Sequence, residues 1–135
     1  MNSTLTALAG FLAWSLFLLV LMEVIRSKLV LTKAIAANGF TPDNSNLSPF
    51  MQRLARAHAN CVEGLAIFGG LMLVAVLAGK AAITDPLAFI FLGARILQSA
   101  IHLSSVSALA VTLRFAAFAV QMGIGVYWAF RLVVG

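Results

Sequence analysis

Charge, acid and cysteine are what this chain lacks. Only 10% of its 135 residues are charged, and just four of them are acidic. Soluble domains carry about 25% charged residues. So small a charge set, beside 62% hydrophobic residues and a mean hydropathy of +1.04, excludes an ordinary water-soluble fold. The single cysteine, Cys61, excludes an intramolecular disulfide and supplies no metal-ligand spacing, so no metal site is expected. There is no Ser-His-Asp set, no Gly-rich phosphate loop and no His/Cys/carboxylate cluster. The scarcity of acids leaves nine Lys/Arg in surplus, for a net charge of +5. In a soluble protein that surplus would point to nucleic acid. Here the basic residues flank or enter apolar stretches, so membrane lipids or a small anionic ligand are the expected partners, and nucleic acid is not.

The apolar runs predict an all-α membrane protein, a four-transmembrane-helix bundle forming one domain over residues 1–135. The helices are expected at about residues 5–36, 49–79, 86–105 and 110–134. The N-terminal segment has no positive charge before a long apolar run, and it reads as a retained span and not a cleaved signal. Residues 38–48, rich in Asn, Gly, Pro, Asp and Ser, form the one long polar loop. Ser48-Pro49 is a natural N-cap and first-turn pair for the second helix. Basic residues cluster around that loop: Arg26, Lys28, Lys33, Arg53 and Arg56. The bias predicts a cytoplasmic first loop with both termini outside. In the last turns of the first helix, Glu23 and Arg26 stand at i,i+3 and read either as an internal ion pair or as a face lending a cation to a neighbouring pocket.

The chemistry concentrates where the second helix begins. Arg53-Leu-Ala-Arg56-Ala-His58-Ala-Asn60-Cys61-Val-Glu63 runs straight into an apolar segment. At about 100° per residue, Arg53, Arg56, Asn60 and Glu63 fall within an arc of roughly 80°. Lipid cannot solvate such a stripe, so it must face protein or a water-filled pocket. Arg95, Gln98, His102 and Ser105 repeat the same spacing on the third helix. Arg114 opens the fourth helix, with Gln121 on the same side two turns on. The topology brings these stripes to one half of the membrane. Four cations, Arg53, Arg56, Arg95 and Arg114, then face one acid, Glu63. Guanidiniums bind carboxylates bidentately. A ligand with two carboxylates and one ammonium fits this set, and a thiol on that ligand would be held as thiolate by a nearby guanidinium. Arg53 reads equally as a lipid-headgroup anchor, and Arg95 equally as a partner of Glu63 or of a helix carbonyl. His102 reads equally as a ligand contact or a buried polar group.

The run Arg56-Ala-His58-Ala-Asn60-Cys-Val-Glu63 closely resembles the second-helix signature of the MAPEG family, the membrane-associated proteins in eicosanoid and glutathione metabolism. The similarity spans nearly the whole chain: four helices, a long first loop, an arginine with polar residues in the third helix, and an arginine opening the fourth. The resemblance implies a homotrimer holding glutathione between subunits on the cytoplasmic side. It makes Arg56, Asn60 and Glu63 glutathione contacts, Arg114 the activator of the thiol, and Arg26 a cation contributed across the interface. With Arg53, Arg95, Gln98 and His102 on the shared faces, these form the expected site.

Three positions depart from relatives. Ala59 stands where some members carry an arginine, His102 where tyrosine is common, and Phe115 where the prostaglandin E synthase member has serine. The departures favour a bacterial-type protein resembling microsomal glutathione transferase, in an inner membrane, over a specific eicosanoid synthase. Its expected activity is glutathione-dependent transfer to, or reduction of, a lipophilic electrophile or hydroperoxide taken from the bilayer. Two other readings stand beside it: a small multidrug-type four-helix exporter, and a catalytically silent structural or lipid-binding member of the family.

Overall fold

The computed structural model describes all 135 residues, and every regular element in it is helical. Four helices are long and apolar enough to cross a membrane: α1 Ser3–Leu31, α2 Pro49–Leu77, α3 Ala81–Ser104 and α4 Ala108–Val134. The protein is an all-α integral membrane protein. Side-chain caps start three of the helices. Asn2 accepts from the Leu5 amide at 2.8 Å, Ser48 from Met51 at 3.3 Å, and Ser107 from Ala110 at 3.1 Å. Pro49 follows Ser48 in the first turn, as the sequence predicts.

Two helix ends differ from the expected boundaries. The first helix stops at Leu31, not near residue 36. Lys33 takes the left-handed conformation, φ +60°, and the Lys33 and Ala34 amides turn back to the Val30 and Leu29 carbonyls at 3.0 Å each. That is a Schellman ending, and it takes Lys33 out of the helix. The third helix starts at Ala81, five residues before Pro86. Proline keeps a helical φ, and near a helix start it removes only one intrahelical bond. Gly79, at φ +70°, closes α2 by the same Schellman geometry, with Lys80 N–H on the Ala75 carbonyl at 2.7 Å.

The early start of α3 places Asp85 beside the first turn of α1. Its carboxylate accepts from the Thr4 amide at 2.9 Å and from the Thr4 hydroxyl, which in turn accepts from the Thr84 hydroxyl at 2.6 Å. A carboxylate at a helix start suits the helix dipole, and the contact fixes α1 and α3 as parallel neighbours.

Within the bundle, α3 packs against all three other helices. The core takes one large ring from each helix. Phe91 of α3 sits between Phe11 of α1 at 5.7 Å, Phe68 of α2 at 5.0 Å and Trp128 of α4 at 5.6 Å between centroids. Tilted ring pairs of this kind each contribute roughly 0.5–1.5 kcal/mol beyond burial. Gly125 makes room for the cluster, because a Cβ there would stand 2.6 Å from the Phe68 ring. Around Phe68 the ladder of α2 widens to a π turn over Leu65–Gly69. The wider turn changes the helical register, so the polar stripe that ends at Glu63 passes into an inward-facing apolar segment.

The first loop is bound to α1 through Arg26. This guanidinium pairs with Glu23 at 3.2 Å, donates to the Asn44 side chain and to the Thr41 carbonyl at 3.2 Å, and lies over the Phe40 ring. Asn44 is fully buried at φ +56°, and its amide reaches the Met51 carbonyl at 2.8 Å. At the loop surface, the Thr41 hydroxyl and then the Ser45 amide hold the Asp43 carboxyl below the usual carboxylate range. That contribution is present at neutral pH and fades only as pH falls through the lowered pKa.

Asn44 joins α1 to the start of α2, so its removal should loosen the loop. Asn44→Ala loses hydrogen bonds to a charged group, worth about 1.5–3 kcal/mol, and forces a Cβ-bearing residue with no compensating side chain into a left-handed conformation costing about 1–2 kcal/mol. The expected outcome is faster amide exchange across residues 38–48 and a lower melting temperature in detergent. Exchange unchanged from the wild type would contradict this account.

Candidate functional site

The polar stripes of α2, α3 and α4 converge in two tiers near the first- and third-loop end of the bundle. In the outer tier His102 is buried, 4% exposed, and its imidazole forms no hydrogen bond within the chain. Arg53 and Arg56 near the start of α2 and Arg114 near the start of α4 stand at the same end of the bundle as His102, near the end of α3. Arg53 is partly committed, since its Nε donates to the Leu103 carbonyl at 3.0 Å. A cation at those carbonyls also suits the C-terminal end of α3. Arg56 is exposed and Arg114 half-buried, and neither has a partner in the protomer, where the one ion pair is Glu23–Arg26.

One to two turns deeper lies the inner tier. Arg95 is 1% exposed, and its Nη1 reaches the Asn60 carbonyl at 3.4 Å. Its guanidinium stands 5.4 Å from the centroid of the Phe11 ring, a cation–π contact. The Arg95 Nε has no partner. Gly64 allows the close approach, because a Cβ there would meet Nη2 at 2.7 Å. Of the two roles open to Arg95 from its spacing, the carbonyl is realised and the Glu63 pair is not. Gln98 accepts from Gln121 Nε2 at 2.8 Å, and Cys61 lies 3.4 Å from the Ser99 hydroxyl, fully buried. Below this tier a cavity of about 610 Å³ opens between α2 and α4. Asn60, Glu63, Arg95 and Gln98 line its head, and apolar side chains such as Phe68, Leu71, Phe118 and Val126 line the rest.

The fold therefore gathers Arg53, Arg56, Asn60, Glu63, Arg95, Gln98, His102 and Arg114 in one region. Arg26 stands apart from it within the protomer, with its guanidinium spent on Glu23, Asn44 and Thr41. Two features escaped the sequence reading. Gly64 gives way to Arg95, and the only sign of it was a glycine bordering a polar stripe in a helix interior. The π turn had no sign at all. No group of three His, Cys, Asp or Glu side chains is placed to hold a metal. Chemically, the arrangement offers unpaired cations, one unpaired carboxylate and an adjacent apolar slot, which suits a small charged ligand meeting a lipophilic one.

Searches of curated proteins and of solved structures return no match. A sequence model of the MAPEG family does match, over residues 4–134. The match covers all four helices and every residue of the two polar tiers, and the chain belongs to the MAPEG family.

Proposed function

We propose that this protein is a glutathione-dependent transferase or peroxidase of the microsomal glutathione transferase type. It acts on lipophilic electrophiles or hydroperoxides drawn from the bilayer. Family membership supports a membrane function related to glutathione or eicosanoids in general. The finer reading is carried by one observation: Arg56, Arg114 and Glu63 have no partner inside the protomer. Hydrocarbon cannot answer these charges. Glutathione, with two carboxylates and one ammonium, answers them in kind. Arg56 and Arg53 take carboxylates, Glu63 takes the ammonium with Asn60 beside it, and Arg114 stabilises the thiolate that attacks the electrophile. Arg26 serves this site through the loop it ties down, and His102 lies between the arginines as a ligand contact.

A homotrimer with the α2 stripe at the subunit interface completes the reading, because a lone protomer leaves Arg56 and Glu63 facing lipid. The exporter reading is disfavoured, since the membrane acid of α1, Glu23, is tied to Arg26 at 3.2 Å. The proposed setting is a bacterial inner membrane with the first loop cytoplasmic and both termini outside.

Assembly is tested by mass measurement in nanodiscs, where a trimer is expected and a stable monomer would refute it. Orientation is tested with a reporter cysteine at the exposed Asn38 in a Cys61→Ala background. It should resist a membrane-impermeant thiol reagent in intact cells, and ready labelling would invert the topology. The mechanism is tested by titrating the ultraviolet thiolate absorbance of bound glutathione against pH. Arg114→Ala should leave glutathione affinity within a few-fold and raise the bound thiol's pKa by about one unit, equal to about 1.4 kcal/mol. Arg56→Ala and Glu63→Gln should instead weaken binding about tenfold or more. An unchanged thiolate titration in Arg114→Ala would remove Arg114 as the activator.

A further inference from the structure

We infer that His102 is the proton carrier of this site. It takes the proton of the bound thiol and returns it to the alkoxide released from an organic hydroperoxide, which makes hydroperoxides the favoured substrate class. The inference rests on the glutathione reading for the thiol and adds the route of the proton and the choice of substrate.

Helix register puts His102 where the thiol is expected. The 2.8 Å bond between Gln98 and Gln121 fixes α3 against α4, which runs in the opposite direction. From that bond toward the third loop, His102 lies four residues along α3 and Arg114 seven along α4. At 1.5 Å per residue they stand about 6 Å and about 10 Å above the bond, within about one turn of each other. Gln98 and His102 share one helix face by their spacing, and so do Gln121 and Arg114. On the α2 side, Arg53 Nε meets the carbonyl of Leu103, the residue after His102, at 3.0 Å.

The ring is buried without being sealed. His102 is 4% exposed, yet the buried side-chain nitrogens that lack a partner belong to Trp14, Arg95 and Trp128. The imidazole nitrogens bond to no group of the chain and stay open to a ligand. A neutral imidazole carries a proton on one nitrogen and a lone pair on the other, so it can accept a proton and later give one.

No other group around the thiol can do this. Arg53, Arg56 and Arg114 keep their protons at any working pH. They can hold a thiolate but cannot take the proton that leaves it. Asn60 and Gln98 are neutral amides. Cys61 is fully buried against Ser99, whose hydroxyl is spent on the Arg95 carbonyl. His58, two positions from Arg56, falls on the other side of α2. Glu63 stands ten positions along α2 from Arg53, roughly 15 Å deeper, and is engaged with the ammonium. Arg26 and Glu23 of α1 pair with each other.

The leaving group decides which reaction gains. When a thiolate displaces a halide, the departing ion needs no proton. When it attacks a hydroperoxide, the departing alkoxide is a strong base and has to be protonated. The imidazolium formed one step earlier is then the nearest donor. The total charge of the site stays constant through the first transfer, because thiolate and imidazolium arise together.

The steps balance. The thiol proton passes to the unprotonated ring nitrogen of His102, and Arg114 holds the thiolate. The sulfur attacks the terminal oxygen of the hydroperoxide. An S–O bond forms, the O–O bond breaks, and its electron pair leaves with the inner oxygen. That alkoxide takes the proton from His102 and departs as an alcohol. The sulfur is thereby oxidised to a sulfenic acid and the peroxide is reduced. A second glutathione thiol displaces the sulfenic hydroxyl as water and gives the disulfide. Two thiols and one hydroperoxide thus yield one disulfide, one alcohol and one water.

The test uses the full chain in nanodiscs with glutathione and two chain-matched substrates, dodecyl hydroperoxide and 1-iodododecane. In the wild type, kcat/KM for the hydroperoxide should fall in D2O, and by more than kcat/KM for the iodoalkane. Equal isotope effects overturn the inference, and this arm needs no variant that could misfold. His102→Gln keeps a polar side chain that cannot carry the proton. It should lower the ratio of hydroperoxide to iodoalkane kcat/KM about a hundredfold. An unchanged ratio reduces His102 to a structural role and overturns the inference. A wild type that conjugates the iodoalkane but leaves the hydroperoxide untouched also overturns it, while the glutathione reading stands. A wild type that turns over neither substrate removes the glutathione reading and the inference with it.

Discussion

Hydrocarbon does not solvate charge, and the upper half of this bundle is arranged around that constraint. Every guanidinium placed between the helices needs an acceptor, an aromatic face or a ligand. Arg26 and Arg53 find theirs within the chain, in Asn44, Thr41 and Glu23 for the first and the Leu103 carbonyl for the second. Arg95 finds half of what it needs, one long contact to the Asn60 carbonyl and the Phe11 ring. Arg56 and Arg114 find nothing in the protomer. The gradient from satisfied to unsatisfied runs from α1 toward the faces of α2 and α4, and it is what marks one region of the molecule as a site.

The lower half of the bundle is what makes such placement possible. With one aromatic side chain from each helix meeting at Phe91, the four helices are fixed against one another by ring packing, and Phe11 carries that layer up to Arg95. Helix association in lipid relies on close packing, since lipid tails are as apolar as the side chains they would replace. Gly125 under Phe68, Gly64 beside Arg95 and Gly10 against Leu92 are places where a missing side chain allows that closeness. The rigid aromatic layer and the charged layer are joined by the π turn of α2.

Much of this was legible in the sequence. Four spans follow from hydropathy, and the convergence of the stripes follows from helical spacing combined with the direction each helix runs. What was not legible was local. Lys33 in a left-handed conformation ends α1 where neither glycine nor asparagine announces it, and apolar residues continue past the true end. Pro86 reads as a helix start because its missing N–H is harmless there, yet the helix begins earlier and tolerates it. The fate of Arg26 depended on Asn44, eighteen positions away in a loop, a distance that periodicity does not reach. Arg95 could be placed on a face, but its isolation from Glu63 is a matter of ångströms that spacing cannot resolve.

The tie between Thr4 and Asp85 bears on the order in which the bundle is made. Its two halves are separated by 81 positions of chain. During synthesis the N-terminal residues emerge first, and Asp85 follows only after α1 and α2 have been produced. Until then the first turn of α1 lacks its carboxylate, and α1 has no fixed neighbour at that end. Closing the contact requires α3 to enter beside α1 with its N-terminus on the same side of the membrane. A chain whose third span is inverted cannot form the contact, and its α1 start keeps only the Asn2 cap.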